Sequence, residues 1–348
     1  MILILTQPLD PHADLVTEKL RDRGADFVRF HPEDFPSRAS ISLQYSASGR
    51  LGSALCLCDR PIDLDALEAV WYRRPRDPVA HEEITDTPTR QAIAEECEPF
   101  VQDVWNSLGC RWVPAPVAVF RRAQFKASQL KVAANLGFEI PPTLITNNPV
   151  DFLEFYRRHG GRIVSKRVGF AFFSTKGAPF VRFTEVVSRR DVGYAGAVRY
   201  CPTIFQAYVP KRVELRITVV GRRAFAAEIH SQASNRTRHD WRRYDLRTTP
   251  HRPHELPPDV ARRCVLLVRR LGLCFGTMDM VLTPDGRYVF LEINPNGQYL
   301  WIEHAAGLPI SDAICDLLMY GPSAGEPEDA TDQDQEARDE RIDSIPIG

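Results

Sequence analysis

The sequence predicts a mixed α/β and α+β chain. A small α/β unit covers residues 1–113, two α+β subdomains cover 114–205 and 206–321, and a tail covers 322–348. Three observations carry this. The chain opens on strand–helix–strand alternation: ILIL (2–5), HADLVTEKLRDRG (12–24) and DFVRF (26–30). WVPAP (112–116) is a rigid boundary after the first unit. Beyond it the strand signals cluster in antiparallel runs, at 202–232 and 276–294, between helical stretches.

Taken in order, ILIL has no polar residue and reads as a buried strand. The helix that follows Pro11 is amphipathic and stops at Gly24. ISLQYSASGRLGSALCL (41–57) reads as a hairpin turned by Ser48-Gly49, and AVWYRRP (69–75) as a strand stopped by Pro75. A long helix spans 88–108, and a further helix starting near Phe120 stops at Gly137. Pro141-Pro142 leads into a strand, 150–159 is a short helix, and GRIVSKRVGF (161–170) is a strand running into a loop. Residues 233–256 read as a basic loop with Arg236, Arg238, His239, Arg242, Arg243 and Arg247. Helices at 257–271 and 299–320 flank the last hairpin. No GxGxxG or GxxxxGK[ST] follows any strand, which excludes a Rossmann dinucleotide site and a P-loop.

The 348 residues, 44% hydrophobic and 26% charged, are enough for two or three cores. No run of 18 apolar residues exists, so no membrane partner is expected, and the start has neither the basic n-region nor the cleavage site of a signal peptide. Eight scattered cysteines without a CxxC pair fit reduced thiols in a cytoplasmic protein. From Pro322 onward nine acids face two arginines, and this stretch reads as disordered. The body is correspondingly basic by six charges, enough to suggest an anionic ligand and too little to imply nucleic acid. Only six of the 44 basic residues are lysines, and five of them fall between 126 and 211. Lysine serves as a point contact to phosphate, so the cluster marks a phosphate site.

The hairpin carries the sharpest signal. TPDGR (283–287) is a turn, and either a two- or a four-residue loop sets Asp279 directly opposite Glu292. Thr277, Asp279, Val281, Phe290, Glu292 and Asn294 then share one face, and Met278, Met280, Leu282, Val289, Leu291 and Ile293 share a wholly apolar one. Two carboxylates across a strand pair repel unless a cation sits between them. Asp279, Glu292 and the Asn294 amide form an oxygen-only set, which suits Mg²⁺ and not zinc.

Other segments complete a nucleotide site. Lys166 ends strand RIVSK before a loop with Gly169, Ser174, Thr175, Lys176 and Gly177, and Lys126 can reach the same phosphates from the other side. FQAYVPKRVELRI (205–217) breaks its alternation at Pro210, so backbone at Gln206, Ala207 and Val209 can meet an adenine edge, with Lys211 adding charge. Glu214 suits a ribose hydroxyl, and Arg216, on the same face, suits a phosphate oxygen or a developing acyl phosphate.

Lys126, Lys166, the hinge FQAYV, ELR (214–216), Asp279 and LEINPNGQ (291–298) together resemble the ATP-grasp superfamily over residues 114–320. The resemblance implies two subdomains clamping ATP and two Mg²⁺ ions on Asp279, Glu292 and Asn294, with Lys166, Arg216 and Asn294 at the reaction centre. Ala207 departs from the family's frequent acidic residue there. TQPLDPHADLV (6–16), WYRRP (71–75), LITNNP (144–149), HDWRRYD (239–245) and NPNGQYLWIE (294–303) resemble, more narrowly, the ATP-grasp ribosomal peptide maturases, the microviridin-type graspetide synthetases, most like their actinobacterial branch.

That implies a ligase and macrocyclase. An Asp or Glu carboxyl of a ribosomal precursor peptide, bound through a leader segment, is phosphorylated by ATP. A Ser or Thr hydroxyl or a Lys amine then displaces phosphate to close an ester or amide ring. A homodimer is expected on the same ground. Candidate substrate contacts are Arg73, Arg74, His230, Asp240, Trp241 and Arg242, and His230, Asp240 and His304 are candidate acceptors of the nucleophile's proton. Two rival readings are a ligase adding free amino acids to a peptide or protein C-terminus and a nucleotide sensor with a dead site. A lid is expected at 168–178.

Overall fold

The protein is described here by a computed structural model covering residues 1–169, 173–175, 178–180, 183–233, 241 and 249–322. Asp240, Arg242, Lys176, Gly177, the other side chains named in the basic loop and the acidic tail from residue 323 lie outside these. Ser174 and Thr175 fall in strand Phe173–Thr175, which pairs with Ala178–Phe180.

The first unit is built on a parallel sheet in the order Phe27–Phe30, Ile2–Leu5, Ala69–Tyr72, Arg111–Val113. Ile2 and Ile4 enter one core and Leu3 and Leu5 another, which is why ILIL has no polar residue. Asp10 caps helix Pro11–Asp22, accepting from the backbone of His12 and Ala13. The C-terminal helix Ile310–Tyr320 returns to this unit. It fills the first core and is pinned by Lys19 and Arg23 on Asp312 at 2.9 and 2.7 Å, and by Arg23 on Asp316 at 2.6 Å. A three-stranded antiparallel sheet (Ala39–Ser46, Gly49–Leu57, Arg60–Asp63) covers the other side, and its first hairpin pairs Ser46 with Gly49, one residue earlier than predicted.

Two α+β units follow, as expected. The central sheet is antiparallel, in the order Glu185–Val186, Ile163–Lys166, Thr203–Ala207, Thr143–Thr146. The C-terminal sheet, also antiparallel, runs His251–His254, Arg223–Ile229, Val213–Val220, Phe275–Leu282, Tyr288–Asn294. Helices Lys126–Asn135 and Pro258–Arg270 pack on its apolar face. The helical stretch after Phe120 is split at Gln124-Phe125, and that at 299–320 is split by Gly307 and Pro309. Part of the predicted basic loop, His251–His254, is an edge strand. HRPH lacks apolar alternation, and an edge tolerates Pro253.

The hairpin corrects three assigned faces, those of Val289, Phe290 and Leu291. Gly286, at φ +86°, closes a three-residue loop in which the Thr283 N–H donates to Arg287 O. This shifts the pairing by one, so Met280 faces Phe290 and Val281 faces Val289. A bulge beyond them restores the predicted register, and Asp279 does face Glu292. Phe290 therefore enters the core, 5.6 Å from the Phe138 ring, and Leu291 turns to the cleft.

Candidate active site

Strand Val213–Val220 is buried along its whole length yet alternates in chemistry. Val213, Leu215, Ile217 and Val219 enter the core, and Glu214, Arg216 and Thr218 take the other face. Arg216 pairs with Asp279, and Asp279 with Glu292, so three strands lay one row of charges across the sheet. Arg216 Nη1 donates to Asp279 Oδ1 at 2.9 Å. Lys126 completes the row by pairing with Glu292 from the first turn of its helix.

Gln129 fixes that helix. Its amide nitrogen donates to Ile293 O and its amide oxygen accepts from Ile293 N, so it replaces a strand partner at the sheet edge. It is 1% exposed. Asn296 is the second residue that the sequence reading overlooked. It is buried, with Nδ2 donating to Tyr72 O at 2.9 Å. Neither carries a local signal: Gln129 lies among Lys126, Ser128 and Lys131, and Asn296 reads as a turn residue in Pro-Asn-Gly.

The segment 208–212 crosses from the central to the C-terminal sheet. Tyr208 N donates to Arg162 O, and Arg212 N to Leu282 O. A cleft of about 560 Å³ lies between the sheets. Lys166, Gln206, Ala207 and Val209 line one side, and Lys211, Glu214, Asp279, Leu291 and Glu292 the other. Lys211 and Glu214 pair at 3.0 Å, both buried. The Ala207 N–H is bound to Pro142 O, but Val209 N–H and C=O carry no hydrogen bond among the described residues, as a hinge open to a ligand edge requires. Gln206 Nε2 donates to Thr143 Oγ1 at 3.0 Å.

Several candidate substrate residues turn inward. Arg73 is 1% exposed and bound to Asn296, which argues against a direct contact with substrate. Arg74 is half-buried beside it at φ +49° and reaches Asn296 O at 3.3 Å. His230 leans on Glu228 at 2.9 Å. Glu228 pairs with Leu215 and so lies on the sheet face opposite to Asp279, which argues against His230 as the proton acceptor. His304 is exposed on helix Leu300–Ala306 and does not line the cleft. Trp241 does line it, buried, with the Arg216 guanidinium 5.5 Å from its ring and Trp301 stacked behind at 4.7 Å.

The donor set fits a hard cation. Asp279 and Glu292 face each other with Asn294 on the same strand face, and each carboxylate already draws a positive side chain. Among the described residues no three His, Cys, Asp or Glu side chains cluster as a metal site. A pair of α+β sheets with Asp, Glu and Asn at the floor of the cleft between them, and lysines and an arginine around it, defines an ATP-grasp ligase.

Residues 1–119 match the family described as the MvdD pre-ATP grasp domain. Among solved structures, the macrocyclase MdnC of Microcystis aeruginosa MRC, bound with precursor peptide MdnA, is 32% identical with a TM-score of 0.80, over 91% of this chain and 99% of that one. MdnB of the same organism is 33% identical with a TM-score of 0.76, over 92% and 99%. The RiPP-associated ATP-grasp ligase of Chryseobacterium gregarium, in complex with ADP and a leader and core peptide, is 31% identical with a TM-score of 0.84, over 91% and 96%. No curated protein sequence matches. The chain belongs to this family of ATP-grasp peptide macrocyclases and is an enzyme.

Proposed function

We propose that this enzyme activates Asp or Glu side-chain carboxylates of a ribosomal precursor peptide as acyl phosphates and closes ester or amide rings with Ser, Thr or Lys. The observation that carries the proposal is the row Arg216, Asp279, Glu292, Lys126 on the cleft floor. The full-length likeness to macrocyclases supports the substrate class. The motif resemblance favours the actinobacterial branch.

A carboxylate and a triphosphate repel, so the site must supply positive charge before it can bring them together. Lys166 and Lys126 do so from the two sides of the cleft, and Arg216 does so from its floor. Glu214, held by Lys211, can accept from ribose hydroxyls, and the hinge at Val209 offers backbone to the adenine edge. Asp279, Glu292 and Asn294 would hold Mg²⁺. When bound, the metal neutralises phosphate charge and polarises the transferring group. A substrate carboxylate oxygen bonds to the γ-phosphorus as the bond to ADP breaks. The hydroxyl or amine then bonds to the acyl carbon, phosphate leaves, and the nucleophile gives up its proton.

The test is incubation with ATP, Mg²⁺ and a Thr/Ser/Asp/Glu-rich precursor encoded beside the enzyme. Loss of one water mass per ADP released is expected. Gain of amino-acid mass would instead identify a residue-adding ligase, and ATP binding without turnover on any acidic peptide would identify a sensor.

A further inference from the structure

The loop that follows Asn294 is gripped by the N-terminal unit. Arg73 leaves the end of strand Ala69–Tyr72 and is buried. Its Nη1 donates to Asn296 Oδ1 at 2.9 Å and to Asn296 O at 3.2 Å, and its Nε stands 3.4 Å from Asp10 Oδ2. Asn296 in turn donates its backbone N–H to Asn294 Oδ1 at 3.0 Å. A continuous polar chain thus runs Asp10, Arg73, Asn296, Asn294. On the far side of the loop Arg216 Nη2 donates to Gln298 O at 2.9 Å.

The consequence concerns one amide. An amide oxygen has two lone pairs. The Asn296 N–H takes one from Asn294 and so decides which end of that amide faces it, because a flipped amide would set N–H against N–H. The remaining lone pair is then presented in a fixed direction. Groups that orient a metal ligand from behind alter affinity by ~10–100-fold when lost.

We propose that Arg73 is a positioning residue: by clamping Asn296 it sets the orientation of the Asn294 amide toward the cation at the cleft floor. The proposal rests on the assignment of Asn294 to the metal. Arg73 itself is buried and does not line the cleft.

Titration calorimetry with ADP, with and without Mg²⁺, tests this and needs no peptide. Arg73→Lys keeps a charge beside Asp10 but gives one point contact in place of a fork. Expected is ~10-fold weaker binding of ADP in Mg²⁺ and unchanged binding without it, a split that a merely structural defect would not produce. Asn296→Ser leaves Arg73 on Asp10 and should show the same split. The double variant should be no weaker than the worse single, because both act through one chain. Equal weakening with and without Mg²⁺, an unchanged Kd for Arg73→Lys, or multiplied losses in the double variant would overturn the proposal. If Glu292→Gln keeps the full Mg²⁺ dependence, the metal assignment itself falls, and with it the premise.

Discussion

Asp279 and Glu292 set two negative charges directly across a strand pair, a placement that lowers stability unless cations flank it. Arg216 and Lys126 flank it here, so neutralising either acid relieves a repulsion as well as removing an attraction. Asp279→Asn and Glu292→Gln should therefore leave the urea midpoint nearly unmoved and lower Mg²⁺-dependent ADP release by ~10²–10³-fold. Gly297 is constrained in the opposite way. A Cβ there would lie 2.4 Å from Thr277 Cβ and 2.5 Å from Thr277 Oγ1, against a strand that cannot give. Gly297→Ala should cost ~1–3 kcal/mol in urea unfolding, because the whole loop must lift off the sheet. That close approach is the physical reason the strand ends in Pro-Asn-Gly.

At the scale of elements, the hairpin separates what a sequence can reveal from what it cannot. The acidic face was legible because alternation and a Pro-Asp-Gly turn fix which residues share a face. The loop length was not, since two, three or four residues all suit such a turn. The three-residue turn and the bulge shift the register by one in opposite senses, so the acid pair came out as read while Phe290 and Leu291 exchanged faces. Phe290→Ala should then cost ~3–5 kcal/mol of stability. Leu291→Ala should mainly raise the KM for ATP and cost much less. Regular alternation predicts the reverse, and urea unfolding with initial rates decides between them. Edge strand His251–His254 and the buried amides Gln129 and Asn296 stayed illegible for a shared reason. Their roles come from partners distant in the chain, and neither hydrophobic period nor propensity encodes those.

Over the whole molecule, the active-site loop is built at the joint between the first unit and the last. His12 lies at that joint. Its Nε2 accepts from the backbone N–H of Tyr299 and Leu300, both at 3.3 Å, which requires a neutral ring with the proton on Nδ1 beside Asp10. Burial holds the His12 pKa below its ordinary 6.5, with Asp10 opposing and Arg73 reinforcing. For Asp10, burial favours the neutral acid, but the hydrogen bond with His12 and the Arg73 charge outweigh it and hold the carboxyl well below the usual range. A histidine whose folded pKa is lowered binds its proton more weakly folded than unfolded, so stability falls as pH drops below the unfolded value of 6.5. The depressed Asp10 contributes stability that is complete above its unfolded pKa of about 4 and is lost below it. The urea midpoint should therefore decline in two stages, the first setting in as pH falls below about 6.5 and the second below about pH 4. His12→Gln can still accept both N–H groups and donate to Asp10, but it cannot take up a proton. It should flatten the first stage and keep the second. Magnesium-dependent ADP binding in the wild type should hold through the onset of that first stage and weaken only at lower pH, because the folded protein takes up the His12 proton below 6.5, and protonation then breaks the contacts that seat the start of helix Leu300–Ala306 a few residues from Asn294.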